Sequence, residues 1–158
     1  MIGKFLKYIF AETAEAHYEI DTNKLHLLET MKETLLDNDE ITFELENGIL
    51  IGTGKSPFLD IHVAIKITNY RLEIQKGKSN PILSNIKMTK NSTKEARDFL
   101  ASEKGCKGVI AAAILINSDV TSMIANFFMR ISRPIVPTKI FTDEAEAKTW
   151  LSQYVKKD

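Results

Sequence analysis

The sequence predicts a small α/β sandwich with a mixed, mostly parallel sheet, in the order β-β-α-β-α-β-α-β-α. Short apolar stretches alternate with longer stretches of helical periodicity, which indicates parallel strands joined by right-handed crossovers. Asn47-Gly48 between two alternating apolar segments predicts an antiparallel hairpin at the start. The stretch Val109–Ile116 has no polar residue, as is typical of a central strand covered on both faces.

Residues 1–36 are predicted to form an N-terminal extension, partly helical and loosely attached, and residues 37–158 to form the domain. Apolar residues at helical spacing predict a helix over about 24–36. Those residues are Leu25, Leu28, Met31 and Leu35. Residues 1–23 show no sustained period, so we expect no buried face from them.

The first crossover is the most ambiguous segment. After the hairpin strands, Ser56-Pro57 predicts a helix cap with proline in the first turn, and Gly77 predicts the end of the helix. A possible buried face is formed by Phe58, Ile61, Ile65, Thr68 and Leu72, although Ile61, Val63, Ile65 and Ile67 also alternate as in a strand. The length of the segment favours a helix.

The rest of the chain repeats the alternation. Strands are predicted at 81–86, 109–116 and 137–141, with helices after Ser92, over 120–131 and after Asp143. Ser92-Thr93-Lys94-Glu95 has the spacing of a capping box. The last helix is expected to point its apolar residues inward: Ala147, Trp150, Leu151, Tyr154 and Val155.

Composition limits the function. The chain has 158 residues with 21 basic and 21 acidic side chains, which speaks against broad electrostatic binding of nucleic acid. One cysteine and three histidines give no disulfide framework and little basis for a metal site, so no cofactor is expected. No apolar run approaches the roughly 18 residues of a membrane span, and Lys7 interrupts the apolar start. We therefore predict a cytoplasmic protein.

Two fragments resemble parts of functional sites, a nucleotide-binding loop and a reactive cysteine, but the other residues that such sites need are missing. Gly52-Thr53-Gly54-Lys55-Ser56 resembles the end of a nucleotide-binding P-loop, yet Ile49 stands where the first glycine is needed. A strand exit is the simpler interpretation. Cys106 follows Gly105 beside Lys107, which could lower its pKa, but no general base can be identified for it. The sequence therefore predicts no enzymatic activity.

Charge is unevenly distributed along the chain. Every charged residue from Glu33 to Gly54 is acidic, and every one from Gln75 to Lys94 is basic. Lys87, Lys90 and Lys94 form a candidate docking rim at the carboxyl end of the parallel strands, where partners of open α/β folds usually bind. The rim suits an acidic protein, a phosphate or a lipid headgroup. The alternative is two ordinary solvated surfaces.

The helix predicted at 120–131 has a large apolar stripe. Met129 lies on the opposite side from Ile124, Phe127 and Phe128, so it is a candidate second apolar contact. Such a surface suits a homodimer interface, and self-association is expected. The alternative is a groove beside this helix that binds a lipid or another apolar ligand.

Over about residues 38–156 the chain resembles the STAS-like domain, the fold of anti-sigma-factor antagonists. The resemblance is closest to uncharacterised bacterial stand-alone STAS-like proteins, and it implies a non-enzymatic regulatory or protein-interaction module. It rests on residues 92–100, 111–118, 125–128, 137–142 and 147–151.

The resemblance also implies a candidate regulatory phosphosite. Ser92 stands where anti-sigma-factor antagonists carry a phosphorylatable serine, at the start of the helix after the third strand. Its surroundings differ, because Asn91 and Thr93-Lys94-Glu95 replace the usual aspartate and glycines. The alternative is that Ser92 only caps the helix.

Overall fold

The computed structural model describes residues 32–117 and 133–156. The chain divides between Thr30 and Met31, and all described elements belong to the second unit. The strands are β1 Glu33–Asp37, β2 Ile41–Glu46, β3 Ile49–Gly54, β4 Phe58–Leu59, β5 Asn80–Asn85, β6 Asn91–Ser92, β7 Val109–Leu115 and β8 Thr138–Phe141. The described helices are α1 Ile61–Gln75, α2 Lys94–Ala101 and α3 Glu144–Ser152.

One six-stranded sheet organises these elements, in the order β1-β2-β3-β5-β7-β8, and β4 and β6 form a separate parallel pair. Strands β1, β2 and β3 pair antiparallel, whereas β3, β5, β7 and β8 pair parallel. The mixed, mostly parallel sheet is therefore confirmed. So is the hairpin, because Asn47 at φ 49° and Gly48 at φ 78° form its tight turn.

Strand β1 contradicts the helix expected over 24–36, at least for residues 33–36. These residues pair with β2, and the pairing shifts register between Thr34 and Leu36. The irregularity explains the error, because it places Leu35 and Leu36 together against the core and removes the strict alternation that marks a strand. The sheet therefore begins before residue 37, where the sequence placed the domain boundary.

Each face of the sheet has its own core. On one face α3 covers the cluster Ile49, Ile51, Leu83, Ala111, Ala113, Leu115, Phe141, Ala147 and Leu151. On the other face lie Ile41, Phe43, Leu50 and Ile82, with Ile67, Tyr70 and Ile74 of α1 packed against them. Alternate residues of β3 point to opposite faces, as the strand period requires.

Helix α1 confirms the helical interpretation of the first crossover but starts later than expected. Asp60, not Ser56, is its N-cap and accepts a hydrogen bond from the Val63 amide at 2.9 Å. The Ser56 hydroxyl instead bonds the backbone of Phe58, which belongs to β4. Of the expected buried face only Thr68 is confirmed, since the buried residues are Ala64, Thr68, Arg71 and Gln75.

The two later helices differ in how well the sequence predicted their caps. In α2 the cap is Thr93, whose hydroxyl accepts from the Ala96 amide at 3.2 Å, so the capping box at Ser92 was wrong. In α3 the expected cap is confirmed, because Asp143 accepts from the Glu146 amide at 2.8 Å. The expected inward residues also pack in or against the core, although Tyr154 and Val155 follow the end of α3. Within residues 32–117 and 133–156, no helix has the length and apolarity to span a bilayer.

Candidate functional site

The β4–β6 pair builds a layer beyond the carboxyl ends of β3 and β5. Phe58 pairs with Asn91 and Leu59 with Ser92. Further bonds hold the same two segments together, since the Lys90 amide donates to the Pro57 carbonyl at 2.8 Å and the Thr93 amide to the Leu59 carbonyl at 3.0 Å. Backbone bonding of this kind holds the connections after both strands in one conformation.

A tight turn in the β5–β6 connection presents Lys87 and Met88. The Thr89 amide donates to the Ile86 carbonyl at 2.9 Å, which closes the turn. The Asn117 side chain donates to the Lys87 carbonyl at 2.8 Å and so ties the turn to the end of β7. The turn that carries Lys87 and Met88 is therefore held by a hydrogen bond within the turn and by another to Asn117.

Five exposed residues of this layer form what we call the carboxyl-end surface: Phe58, Lys87, Met88, Lys90 and Asn91. Phe58 is 46% exposed and Met88 is 60% exposed. Large apolar side chains held this far into solvent on bonded loops are typical of contact surfaces.

The acidic and basic segments of the sequence differ in how many of their side chains form ion pairs. In the acidic segment Glu44 pairs with Lys32 at 2.7 Å and Glu46 with Lys148 at 2.9 Å, and Asp37 and Glu40 also have lysine partners. The acidic charges are thus largely neutralised within the domain.

In the basic segment, Lys94 pairs with Asp98 one turn along α2. Lys87 and Lys90 make no ion pair with any carboxylate of the described residues. The structure brings both onto the carboxyl-end surface, while Lys94 is already paired. The docking rim of Lys87, Lys90 and Lys94 stays a prediction.

Ser92 lies in β6 and is half-buried. The Arg97 guanidinium donates to the Ser92 hydroxyl at 3.1 Å and to the Ser92 carbonyl at 2.6 Å. Arginine beside a hydroxyl would suit a phosphate, because guanidinium binds phosphate oxygens in a forked geometry. Phosphorylation of Ser92 stays a prediction.

The P-loop fragment does not form a phosphate cradle. Gly52 and Gly54 lie within β3, and the Lys55 ammonium bonds the Asp37 carboxylate and the Asn38 carbonyl. A P-loop lysine must instead reach phosphate from the loop before a helix. The segment is the end of a strand.

A buried polar network closes the other end of the sheet. Arg71 of α1 is only 6% exposed and donates to the carbonyls of Lys107 at 2.6 Å and Gly105 at 2.8 Å. It also bonds the Gln75 side chain at 2.8 Å. Removal from water lowers the pKa of Arg71. The sequence missed this network because two polar residues on a helix look like a solvated face.

Cys106 is buried beside this network. Burial is the main cause that raises the pKa of its thiol, against smaller opposing effects of the Ile135 backbone and Arg71. A lowered pKa from neighbouring lysines was therefore wrong. A raised pKa with little exposure describes an inert thiol.

We expect Cys106 to react slowly with a thiol reagent in the folded protein, because both the thiolate fraction and access are reduced. Timed absorbance with an aromatic disulfide reagent at pH 8 measures this, with the same chain in denaturing urea as the control. A native rate equal to the denatured rate would contradict the burial of Cys106.

An aromatic groove of about 510 Å³ runs along the outer side of β8 and α3. Its lining is Lys139, Phe141, Ala145, Glu146, Thr149, Trp150 and Gln153. The Phe141 and Trp150 rings lie 5.7 Å apart, and the Lys139 ammonium lies 5.2 Å from the Phe141 ring centre. The sequence predicts Phe141 at the end of a strand and Trp150 inward on a helix, and it gives no sign of this groove.

The helix predicted at 120–131, with the candidate contact Met129, lies outside the described residues, and so do two of the three histidines, His17 and His26. His62 is exposed on α1. Among residues 32–117 and 133–156 no group of three histidine, cysteine or acidic residues could hold a metal ion.

The α/β fold of this chain is SpoIIAA-like, that is STAS-like, because it is similar to a solved structure. That structure is of an uncharacterised DUF3478-family protein with a SpoIIAA-like fold from Shewanella loihica PV-4. It is 16% identical, with a TM-score of 0.53, over 77% of this chain and 95% of that one.

The family model of a domain of unknown function, DUF7793, matches residues 43–155, so the chain belongs to that family. No curated protein matches it.

Proposed function

We propose that this chain is a non-enzymatic, cytoplasmic STAS-like module that regulates a partner protein by binding it through the carboxyl-end surface. The observation that carries the proposal is the combination of two exposed apolar side chains, Phe58 and Met88, with two lysines, Lys87 and Lys90, that form no direct ion pair among the described residues. Apolar anchors surrounded by polar residues are the usual composition of a protein interface.

The charge of the surface defines the partner further. Lys87 and Lys90 are exposed cations on bonded loops, so the complementary surface carries acidic residues around an apolar contact. The two anchored loops lose little freedom on binding, which favours affinity. Phosphorylation of Ser92, on the strand adjoining this surface, would add negative charge and weaken such a partner.

A photoreactive residue at position 88 of the full chain, expressed in its own cell, can trap the partner covalently. The trapped protein is then identified, purified and titrated against the parent and against Lys87→Glu/Lys90→Glu. We expect the double variant to raise the dissociation constant about tenfold or more, because it reverses two charges at the contact.

The matched control is Lys78→Glu/Lys104→Glu, the same charge change on exposed residues that precede β5 and β7 at the opposite end of the sheet. It should bind within about twofold of the parent, since distant exposed charges are screened. Binding through the carboxyl-end surface would be refuted if both double variants lost the same affinity for the partner, or if neither lost affinity. The alternative ligand, a lipid beside helix 120–131, involves residues outside the described ones and stays a prediction.

A further inference from the structure

We propose that two copies of this chain associate edge to edge through β8, so that the six-stranded sheet continues antiparallel across a two-fold axis. The inference is independent of the partner surface above, because β8 lies at the edge of the sheet and the carboxyl-end surface lies beyond the ends of β3 and β5.

Part of the β8 backbone points away from β7 and pairs with no other described strand. The carbonyls of Pro137 and Phe141 accept from the amides of Ala112 at 2.9 Å and Ile116 at 3.0 Å, so they point toward β7. Backbone groups alternate in direction along a strand, so those of Thr138 and Ile140 point away from β7. Among the described strands none pairs there.

The two edges of the sheet are not equivalent. Strand β1 carries a register irregularity and the charged residues Glu33 and Asp37, features that protect an edge from pairing. Strand β8 has regular pairing along its length, and its one charge, Lys139, is held over the Phe141 ring. Of the two edges of the described sheet, β8 is therefore the one with a regular ladder and a single charged side chain.

The side chains favour one antiparallel register. With Ile140 on the two-fold axis, Lys139 lies opposite Phe141 of the second copy, a cation facing an aromatic ring. A register centred on Lys139 would place two ammonium groups opposite each other, which is destabilising. Of these two registers, the one centred on Ile140 is the self-complementary one.

The aromatic groove supports a second copy of the chain as the occupant. Lys139 and Glu146 line the same groove, so each copy brings one charge of each sign to this edge. An antiparallel pair joins the two grooves along α3 and lets the cation of each copy approach the carboxylate of the other. Such symmetric complementarity is what a two-fold contact requires.

Sedimentation equilibrium of the full chain tests the proposal over a range of concentrations, and a dimer is expected. Ile140→Pro removes the outward amide while leaving the β7 ladder intact, and should raise the dimer dissociation constant about tenfold or more. Lys139→Glu changes an exposed residue, so this variant should fold normally. It is also expected to raise the dimer dissociation constant. Lys78→Glu is its matched control and should not change the constant.

A cysteine cross-link tests the register. In Ile140→Cys the facing α-carbons would lie about 5.5 Å apart, within disulfide range, so mild oxidation should give a covalent dimer. The parent, with only buried Cys106, and Thr34→Cys on the β1 edge should remain uncross-linked. A parent that stays monomeric at every concentration overturns the proposal. So does a dimer that Lys139→Glu leaves unchanged and Ile140→Cys fails to cross-link.

Discussion

Trp150→Ala should lower the free energy of unfolding by about 3 kcal/mol, the order expected when a large aromatic side chain is removed from a packed site. Trp150 packs between Phe141, with ring centres 5.7 Å apart, and Tyr154, at 5.1 Å. It also lies against the core that α3 closes. The loss should therefore affect docking of the whole helix onto the sheet.

Urea denaturation followed by circular dichroism measures this loss. Trp150→Phe is the matched control, because it keeps a ring against Phe141, and it should cost about 1 kcal/mol. Trp150 is the one tryptophan of the chain, so native fluorescence reports on the same site. Emission at the wavelength of a solvated indole, together with a negligible effect of Trp150→Ala, would contradict the docking of α3.

Gly105→Ala should lower the free energy of unfolding by about 3 kcal/mol or more, although it adds only one methyl group. An added β-carbon would lie 2.2 Å from the Phe99 carbonyl oxygen and 2.6 Å from the Leu100 α-carbon. These are backbone atoms at the end of α2, so they cannot rotate away as a side chain would. The Gly105 carbonyl also accepts from Arg71, so movement of this loop disturbs the buried network.

Gly77→Ala makes the same chemical change where space is free. Gly77 has φ 81° and nothing within 4 Å of an added β-carbon, so only the left-handed backbone is penalised, at about 1 kcal/mol. Thermal unfolding of both variants by calorimetry measures the difference. Equal midpoints would show that the loop at residue 105 does not pass against the end of α2.

The mixed, mostly parallel sheet could be predicted because the signals of most of its strands and turns are local. The Asn47-Gly48 turn, the apolar run of β7 and the Asp143 cap each depend on a few neighbouring residues. Strand β1 could not be predicted, because its irregular pairing removes the alternation. The start of α1 was misjudged because Ser56-Pro57 matches a helix cap, while pairing with the β5–β6 connection keeps the segment extended.

The candidate site was predicted only in part. The lysines of the basic segment were identified from charge alone, but their pairing depends on residues distant in sequence. Exposure of Phe58 could not be foreseen, because in a helix it would have faced the core, whereas β4 turns it outward. Arg71 was missed because its partners are carbonyl groups of a distant loop. Every residue has a backbone carbonyl, so the amino-acid sequence does not show which carbonyl groups will accept hydrogen bonds from a buried arginine.

The position of α3 in the chain has a consequence for biosynthesis. Among the described elements α3 covers the face formed by Ile51, Leu83 and Leu115, and it follows every strand of the sheet. While the ribosome extends the chain from its N-terminus, the strand residues of this apolar face are synthesised before those of the helix that shields it. Until the helix has left the ribosome and docked, these apolar residues are open to chaperones or to neighbouring nascent chains.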